Sequence, residues 1–360
     1  MKPVSPPRTY LDHAATTPIL PAAARAVADG LARWANPSSP HGEGRAARRA
    51  LEDARASIAA AYGWTGRVLL TSGASEALSI ALSRSTAGAA AITAVEHDAV
   101  FRAAGEGAAV LPVGSDGLLD PAALSSLPGR AVVCVQWANS ETGVRQPIAA
   151  VAQKVHAAGH LLLVDAAQMP AGADAQVMAH ADMVAVSAHK RGGPPGVGAL
   201  LVRDLAHLRP SGGQEFGYRA GTENLPGALG FAAALAEPEP VERWAAMRAR
   251  LDDAIRRSGG QVAADGSPRH PAIGAYRMPG TASAAQLIRF DLAGFAVSAG
   301  SACASGSMKP SHVLAAMGWP EGAGREVVRV SFGRDTTRDE VDAFIASWRR
   351  VARETRRFAA

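Results

Sequence analysis

Residues 161–203 read LLLVDAAQMPAGADAQVMAHADMVAVSAHKRGGPPGVGALLVR and contain three short apolar runs, each followed by polar residues. Segments with apolar residues at helical spacing separate such runs, as in ETGVRQPIAAVAQKVHAAG (141–159), which ends on a glycine. Strands that are apolar on both faces and alternate with helices predict an α/β fold, with a mainly parallel seven-stranded sheet covered on both sides. The seven runs lie at 67–72, 90–95, 109–113, 131–136, 161–166, 183–188 and 199–203.

A change of pattern marks a second region of the chain. The segment EPEPVERW (237–244) interrupts the alternation and leads into an amphipathic helix. A further helix, predicted over 336–354, begins with a capping pattern and acidic residues in its first turn. We therefore predict a large domain at 21–238 and a smaller α+β domain at 239–360, with residues 1–20 packing against the smaller one.

Composition excludes several classes of protein. Hydrophobic residues form 48% of the chain and charged residues 19%, a balance typical of folded globular domains. The net charge of +5 is spread along the chain, so we expect no direct nucleic-acid binding. No apolar run is long enough to cross a bilayer and the first dozen residues do not resemble a signal peptide, so we expect no membrane association and a cytoplasmic location. The two cysteines, Cys134 and Cys303, are too few for a disulfide framework or a thiolate zinc site.

Polar residues follow three of the predicted strands, at the edge where parallel sheets bind ligands. TSGASEA (71–77) follows one strand and opens a helix, a pattern that suits either a phosphate-binding turn or an ordinary N-cap. Asp165 ends the run LLLVD, where a carboxylate is an N-cap, half of a buried ion pair or a ligand-binding group. The next strand ends in SAHK, which supplies Ser187, His189 and Lys190.

Lysine is scarce in this sequence. Of its 37 basic residues only four are lysines: Lys2, Lys154, Lys190 and Lys309. A lysine that forms a Schiff base, an acid that pairs with a pyridine nitrogen and a phosphate-binding turn are the groups that pyridoxal 5'-phosphate (PLP) requires. Lys190, Asp165 and 71–77 supply these groups at neighbouring strand ends. A metal site built from His97, His189 and Asp165 lacks any recognisable ligand spacing, so we expect no metal.

Many motifs, in one order along nearly the whole chain, resemble the NifS/IscS-like cysteine desulfurases. These belong to the class V aminotransferase group of PLP fold type I. The resemblance therefore implies that fold type and a PLP cofactor. The motifs are YLDHAATTP (10–18), NPSSPHGEGR (36–45), TSGASEA, EHDAV (96–100), NSETGVRQP (139–147), VDAAQ (164–168), SAHK, GGQEFGYRAGTEN (212–224), SAGSACASGSMKPSHVL (298–314) and VRVSFGRDTT (328–337).

The resemblance implies how the chain holds the cofactor. Lys190 resembles the lysine that forms the Schiff base and later moves protons, and Asp165 the acid that keeps the pyridine nitrogen protonated. His97 resembles the histidine stacked on the ring, and Gln168 the donor to the phenolic oxygen. The phosphate is expected to bind the Ala74 backbone, Ser75, Ser187, His189 and, from a second subunit, Thr222. That last role implies a homodimer with shared active sites.

The resemblance also implies the chemistry. Arg329 resembles the arginine that binds the carboxylate of L-cysteine, and Cys303 the thiol that takes its sulfur as a persulfide, leaving L-alanine. Cys134 is expected to be a small buried side chain. The long loop around Cys303 is similar to the branch that serves iron–sulfur cluster assembly or tRNA thiolation, which implies a sulfur-acceptor protein as partner.

The sequence departs from the family pattern at Ser140, which stands where an asparagine contacts cofactor and substrate. Asn139 is a candidate to take over that contact. Two further alternatives stay open on sequence alone. One is a different reaction on the same fold, as selenocysteine lyase or aminotransferase, and the other is a PLP-binding partner protein with little turnover.

Overall fold

The computed structural model describes residues 8–33, 35–127, 129–299 and 310–359. The strands are β1 Thr9–Tyr10, β2 Arg67–Thr71, β3 Ala89–Thr93, β4 Ala109–Leu111, β5 Ala131–Gln136, β6 Leu161–Asp165, β7 Met183–Ser187, β8 Gly198–Val202, β9 Gln261–Val262, β10 Ile273–Arg277, β11 Phe295–Ala296 and β12 Val327–Ser331. The α-helices are α1 Pro21–Ala32, α2 Gly42–Tyr62, α3 Ala74–Ser83, α4 Asp98–Ala104, α5 Ile148–Ala157, α6 Ala175–His180, α7 Leu225–Leu235, α8 Val241–Arg257, α9 Ser283–Leu292, α10 His312–Ala316, α11 Glu321–Gly324 and α12 Arg338–Ala359.

The central sheet has seven strands in the order β2-β8-β7-β6-β5-β3-β4. Only β8 runs antiparallel to its neighbours, β2 and β7, while the other strand pairs are parallel. Every residue of β5, β6, β7 and β8 is buried, which explains why these strands are apolar throughout. The mainly parallel seven-stranded sheet predicted from the sequence is therefore confirmed.

Alternate residues of each strand belong to different hydrophobic cores, one on each face of the sheet. On β5, Val133 and Val135 pack in the core that contains α2, α5 and α7. Val132 and Cys134 pack in the opposite core, with α3 and α4. Cys134 is fully buried, and burial raises the pKa of its thiol, so the prediction of a small buried side chain is confirmed.

A further core lies among the three-stranded sheet β12-β10-β9 and helices α8, α9 and α12. Leu11 from the N-terminal segment is completely buried in it, and β1 pairs in parallel with β11. The same segment also contacts the large sheet, because Thr17 N donates to the carbonyl of His189. The domain boundaries at 20/21 and 238/239 stay predictions.

The last helix begins with the capping box that its sequence predicts. Thr337 Oγ1 accepts from the Glu340 backbone N–H at 3.2 Å, and Glu340 Oε2 accepts from Thr337 N at 2.8 Å. Two N–H groups at the start of α12 are thereby satisfied, and the helix begins at Arg338, directly after Thr337.

A buried ion pair ties α2 and β2 to the loop that contains GGQEFGYRAGTEN. Arg55 Nη1 donates to Glu215 Oε2 at 2.6 Å, and the same oxygen accepts from Leu70 N at 2.8 Å. Glu215 and the following Phe216 have positive φ angles of 49° and 60°, which are unfavourable for side chains of this size. The ion pair therefore holds the loop in a conformation that the backbone alone disfavours.

Glu215→Ala is expected to destabilise the protein by about 3 kcal/mol, because it leaves the Arg55 charge and the Leu70 N–H buried without this partner. Glu52→Ala is the matched control, since Glu52 binds the same guanidinium but its side chain is 40% exposed, and it should cost less than about 1 kcal/mol. Thermal unfolding of both variants under one condition measures the difference. Equal shifts would mean that burial of the Arg55–Glu215 pair contributes nothing.

Candidate active site

The described residues enclose a cavity of about 830 Å³ beyond the carboxyl ends of the parallel strands. The turns that follow β2, β3, β5, β6 and β7 form its walls, as the topology of an open α/β sheet requires. The structure brings ten of the predicted site residues together in this wall: Ala74, Ser75, His97, Asn139, Asp165, Gln168, Ser187, His189, Lys190 and Arg329.

Lys190 lies in the turn after β7 and is half-buried. Its Nζ makes no hydrogen bond or ion pair with any described residue. Burial lowers the pKa of Lys190 to about 8, with the charge of Asp165 opposing that shift and the charge of Arg329 adding to it. At pH 7 this change raises the neutral, nucleophilic fraction of the amine by about two orders of magnitude. Lys190 is therefore suited to attack a carbonyl carbon.

Asp165 ends β6 and is buried. Its Oδ1 accepts from Ala167 N at 2.9 Å, while Oδ2 has no hydrogen bond from the described part of the chain. Asp165 lines the cavity, so Oδ2 is open to a donor placed there, and a carboxylate removed from bulk water is stabilised by such a donor. Asp165 therefore offers an acceptor to a cationic or N–H group placed in the cavity.

The turn after β2 offers donors to an anion. Gly73 has φ of 152° and lies against β8 so closely that a Cβ at Gly198 would be 2.7 Å from Gly73 Cα. Helix α3 begins at the next residue, and its first-turn N–H groups point out of the helix. The hydroxyls of Ser75 and Ser187 have no partner among the described residues. This end of the cavity can therefore bind a phosphate.

Two histidines in the wall are held neutral. His189 Nδ1 pairs with Thr16 Oγ1 at 3.1 Å, and burial followed by the nearby charge of Lys190 lowers the pKa of His189 to about 4. His97 caps α4, because its Nδ1 accepts from Ala99 N at 3.1 Å. Burial of the His97 ring, followed by the charge of Lys190, lowers the pKa of His97. Its Nδ1 lone pair is engaged, so the proton of the neutral ring is assigned to Nε2.

Gln168 is buried, and hydrogen bonds to Ala14 and His270 hold it in place. Its Nε2 donates to the Ala14 carbonyl at 3.0 Å, and the backbone carbonyl of Gln168 accepts from His270 Nε2 at 2.9 Å. His270 is itself fully enclosed, and burial lowers its pKa to about 3. The second N–H of the Gln168 amide remains for a group in the cavity.

The side chain of Asn139 is engaged within its own turn. Its Oδ1 accepts from the backbone of Glu141 and Thr142 at 2.9 and 2.8 Å, and its Nδ2 donates to the Val95 carbonyl at 3.0 Å. Asn139 thus shapes the wall with its polar atoms already engaged. The prediction that it binds substrate stays a prediction.

Arg329 lies in β12 and carries its guanidinium to the cavity. Its Nη2 donates to Asp12 Oδ1 at 2.7 Å, and its Nη1 donates to the Ser140 carbonyl at 2.9 Å. Sequence reasoning did not assign Asp12 to the site. Asp12 belongs to the motif YLDHAATTP, which was one of those that carry the resemblance. Nothing in the motif indicated that Asp12 contacts a residue 317 positions away.

Glu96 is a second wall residue that sequence reasoning missed. It is fully buried, and its Oε1 accepts from Thr93 Oγ1 at 2.7 Å and from Gln136 N at 2.9 Å. Its Oε2 has no partner among the described residues. Burial raises the pKa of Glu96 to about 8, so this carboxyl is mainly neutral at pH 7. The only sequence signal was its position immediately before His97 in EHDAV.

Two predicted site residues are not part of this wall. Thr222 is exposed and does not line the cavity of its own chain. Cys303 lies outside the described residues. Ser298 and Pro310, which stand on either side of 300–309, both line the cavity.

The geometry of sheet, cavity and unpartnered lysine is that of an α/β enzyme with a carbonyl-binding site. The aminotransferase class-V family model matches residues 9–344, so the chain belongs to the aminotransferase class-V family. A cysteine desulfurase from Cereibacter sphaeroides is 38% identical over 365 aligned positions, which cover 94% of each chain. These matches confirm the family predicted from the motifs.

Solved structures agree with the fold. The X-ray structure of a NifS-like protein from Rickettsia africae superimposes with a TM-score of 0.85 at 27% identity, covering 96% of this chain and 99% of the other. The structure of SspA in complex with cysteine gives a TM-score of 0.78 at 27% identity, covering 91% and 100%. The predicted fold class is therefore confirmed. Among the helices that the structure describes, none has the length and apolar character needed to span a membrane.

Lys190 is expected to titrate near pH 8 in the ligand-free protein, because burial disfavours its ammonium form. Asp165→Asn should lower the pKa of Lys190 further, since the carboxylate charge that raises it is removed. Reductive ¹³C-methylation followed by NMR titration resolves this amine, with the exposed Lys154 as internal reference. A Lys190 pKa above 10, or a rise in the Asp165→Asn variant, would contradict the electrostatics described above.

Proposed function

We propose that this protein is a PLP-dependent cysteine desulfurase, which converts L-cysteine to L-alanine and receives the sulfur on Cys303 as a persulfide. The observation that carries the proposal is the pair Lys190 and Asp165, two groups in one cavity that form no ion pair with any residue the structure describes. The similarity to cysteine desulfurases over nearly the whole chain supports the reaction, and the neighbour bound to cysteine supports the substrate class.

The chemistry of the wall fits PLP. Lys190 would be the covalent anchor for the aldehyde, and the open Oδ2 of Asp165 would accept from the pyridine nitrogen. The spare N–H of Gln168 suits the phenolic oxygen, and the ring of His97 is available for stacking. The phosphate would be held by the Ala74 N–H at the start of α3, by Ser75, Ser187 and His189, and by Thr222 of a second copy. When bound, PLP supplies an electron sink for bond cleavage next to the amino-acid α-carbon.

The chain's own residues then divide the remaining work. Arg329 binds the substrate carboxylate, for which a guanidinium is well shaped. Lys190, with its pKa lowered to about 8, is suited to move protons near neutral pH. The net change transfers one sulfur atom: L-cysteine and the Cys303 thiol become L-alanine and the Cys303 persulfide. The sulfur–carbon bond breaks, a sulfur–sulfur bond forms, and the thiol proton ends on alanine.

The proposal extends to partners. An exposed Thr222 that does not line its own cavity suits a homodimer in which each copy completes the phosphate site of the other. A persulfide needs an acceptor, so we include a sulfur-acceptor protein, in iron–sulfur cluster assembly or tRNA thiolation, and a cytoplasmic location. No described contact favours selenocysteine lyase, aminotransferase or low-turnover partner roles over this reaction.

Cys303→Ser is expected to keep the visible absorption band of bound PLP and to lose at least 100-fold, roughly the scale of a missing nucleophile, in alanine release. Cys134→Ala is the matched control, because Cys134 is fully buried in the sheet core and should leave turnover almost unchanged. Alanine and sulfide are quantified in parallel with a reducing thiol present, because the thiol releases the persulfide sulfur as sulfide. Full desulfuration by Cys303→Ser would refute the role of this cysteine.

Lys190→Ala is expected to lose covalent attachment of the cofactor, whereas Lys154→Ala, at an exposed position of α5, should retain it. Borohydride reduction followed by peptide mass mapping locates the attachment without relying on activity. The reduced cofactor should appear only on the peptide that contains Lys190. Its appearance on another lysine of the wild-type protein would refute the assignment.

A further inference from the structure

The guanidinium of Arg329 already holds one carboxylate of its own chain. Arg329 Nη2 lies 2.7 Å from Asp12 Oδ1, and the two side chains are only 7% and 20% exposed. An ion pair this enclosed is weakly screened by solvent, so each charge is felt strongly by the other. A substrate carboxylate that binds Arg329 is therefore repelled by the carboxylate of Asp12, which already contacts the same guanidinium.

Backbone contacts fix Asp12 at this position. It forms a parallel bridge with Ser331, two residues along β12 from Arg329. Its carbonyl accepts from Ala15 N at 3.0 Å and from the Tyr10 hydroxyl at 3.1 Å. The preceding Leu11 is completely buried. These contacts fix the backbone of Asp12 beside β12. Its position next to Arg329 therefore does not require bound substrate.

Arg329 nevertheless retains capacity for a second acceptor. A guanidinium has five N–H donors, and the described residues accept from two of them, through Asp12 and the Ser140 carbonyl. The Nε atom of Arg329 is buried and has no partner among the described residues, so a ligand in the cavity would use the remaining N–H groups of Nη1 and Nη2. Both Asp12 and Arg329 line the cavity. Substrate can therefore bind Arg329 beside Asp12 rather than by replacing it.

We propose that Asp12 is a positioning residue that tunes carboxylate affinity: it aligns Arg329 and, as a second negative charge on the same guanidinium, weakens the grip on the substrate carboxylate. This inference rests on the proposed role of Arg329 as the carboxylate site. Two carboxylates bound to one guanidinium repel each other. The repulsion lowers the affinity for the carboxylates of L-cysteine and L-alanine, which allows the two ligands to exchange. The residue acts through Arg329 and not on the reacting atoms.

The test compares two ligands that differ only in charge. 3-Mercaptopropionate carries the cysteine carboxylate without the amine that would react with the cofactor, and 3-mercaptopropionamide is its neutral amide. Asp12→Asn keeps an oxygen acceptor for Arg329 Nη2 while removing the charge. In the holoenzyme, this variant should bind 3-mercaptopropionate about tenfold more tightly by calorimetry, with little change for the amide. KM for L-cysteine should fall while kcat changes less.

Asp53→Asn is the matched control, because Asp53 is exposed on α2 and does not line the cavity, so it changes net charge alone. Asp12→Ala, checked by thermal unfolding, is the second variant should the asparagine disturb folding, and it should also favour the carboxylate over the amide. An unchanged or weakened preference for the carboxylate in the Asp12 variants would overturn the proposal.

The ligand pair needs no turnover, so the two ideas fail separately. If the wild-type protein releases no alanine while Asp12→Asn tightens carboxylate binding, the proposed function is wrong and the tuning role stands. If Arg329→Gln retains the wild-type preference for 3-mercaptopropionate over its amide, Arg329 is not the carboxylate site, and both its proposed role in binding substrate and the tuning role of Asp12 are wrong. If alanine is released and Asp12→Asn binds both ligands as the wild type does, only the tuning role is wrong.

Discussion

Lys190 and Asp165 share one cavity without forming an ion pair, and the rest of the site depends on this separation. Had the two groups met, the lysine would be a fixed ammonium and the carboxylate would have no free oxygen. Parallel strands keep them apart, because Asp165 ends β6 and Lys190 follows the adjacent strand β7. Burial then favours the neutral amine. The sheet thus holds two mutually attractive groups at a spacing that a ligand can bridge.

Local pattern was enough to predict the sheet and the residues at its edge. A strand such as LLLVD is apolar on both faces because both faces are covered, and a polar residue at its end must lie at the rim. The sequence alone therefore predicts that Asp165 and Lys190 lie at neighbouring strand ends. The roles of Gln168 and Arg329 came only from the resemblance, because a single glutamine or one arginine among many carries no local signal.

Local sequence patterns could not predict contacts between residues that are far apart in the sequence. Asp12 meets Arg329 across 317 positions, and His270 supports Gln168 from 102 positions away. Nothing in either local sequence specifies such a contact, since side-chain pairing between distant parts of the chain is set by how the hydrophobic cores pack. Glu96 was missed for another reason: its burial follows from neighbouring strands, and a glutamate beside a histidine is ordinarily read as solvent-exposed.

Because Asp12 and Arg329 lie 317 positions apart in the sequence, the wall that they share cannot form until the long segment between them has been synthesised. The ribosome makes Asp12 before any strand of the large sheet, but it makes β11 and β12 after all of them. Asp12 therefore lacks Arg329, and β1 lacks its partner strand β11, while the large sheet is being synthesised. A chain that ends before β12 could thus fold its large sheet and still lack Arg329, the residue proposed to bind the substrate carboxylate.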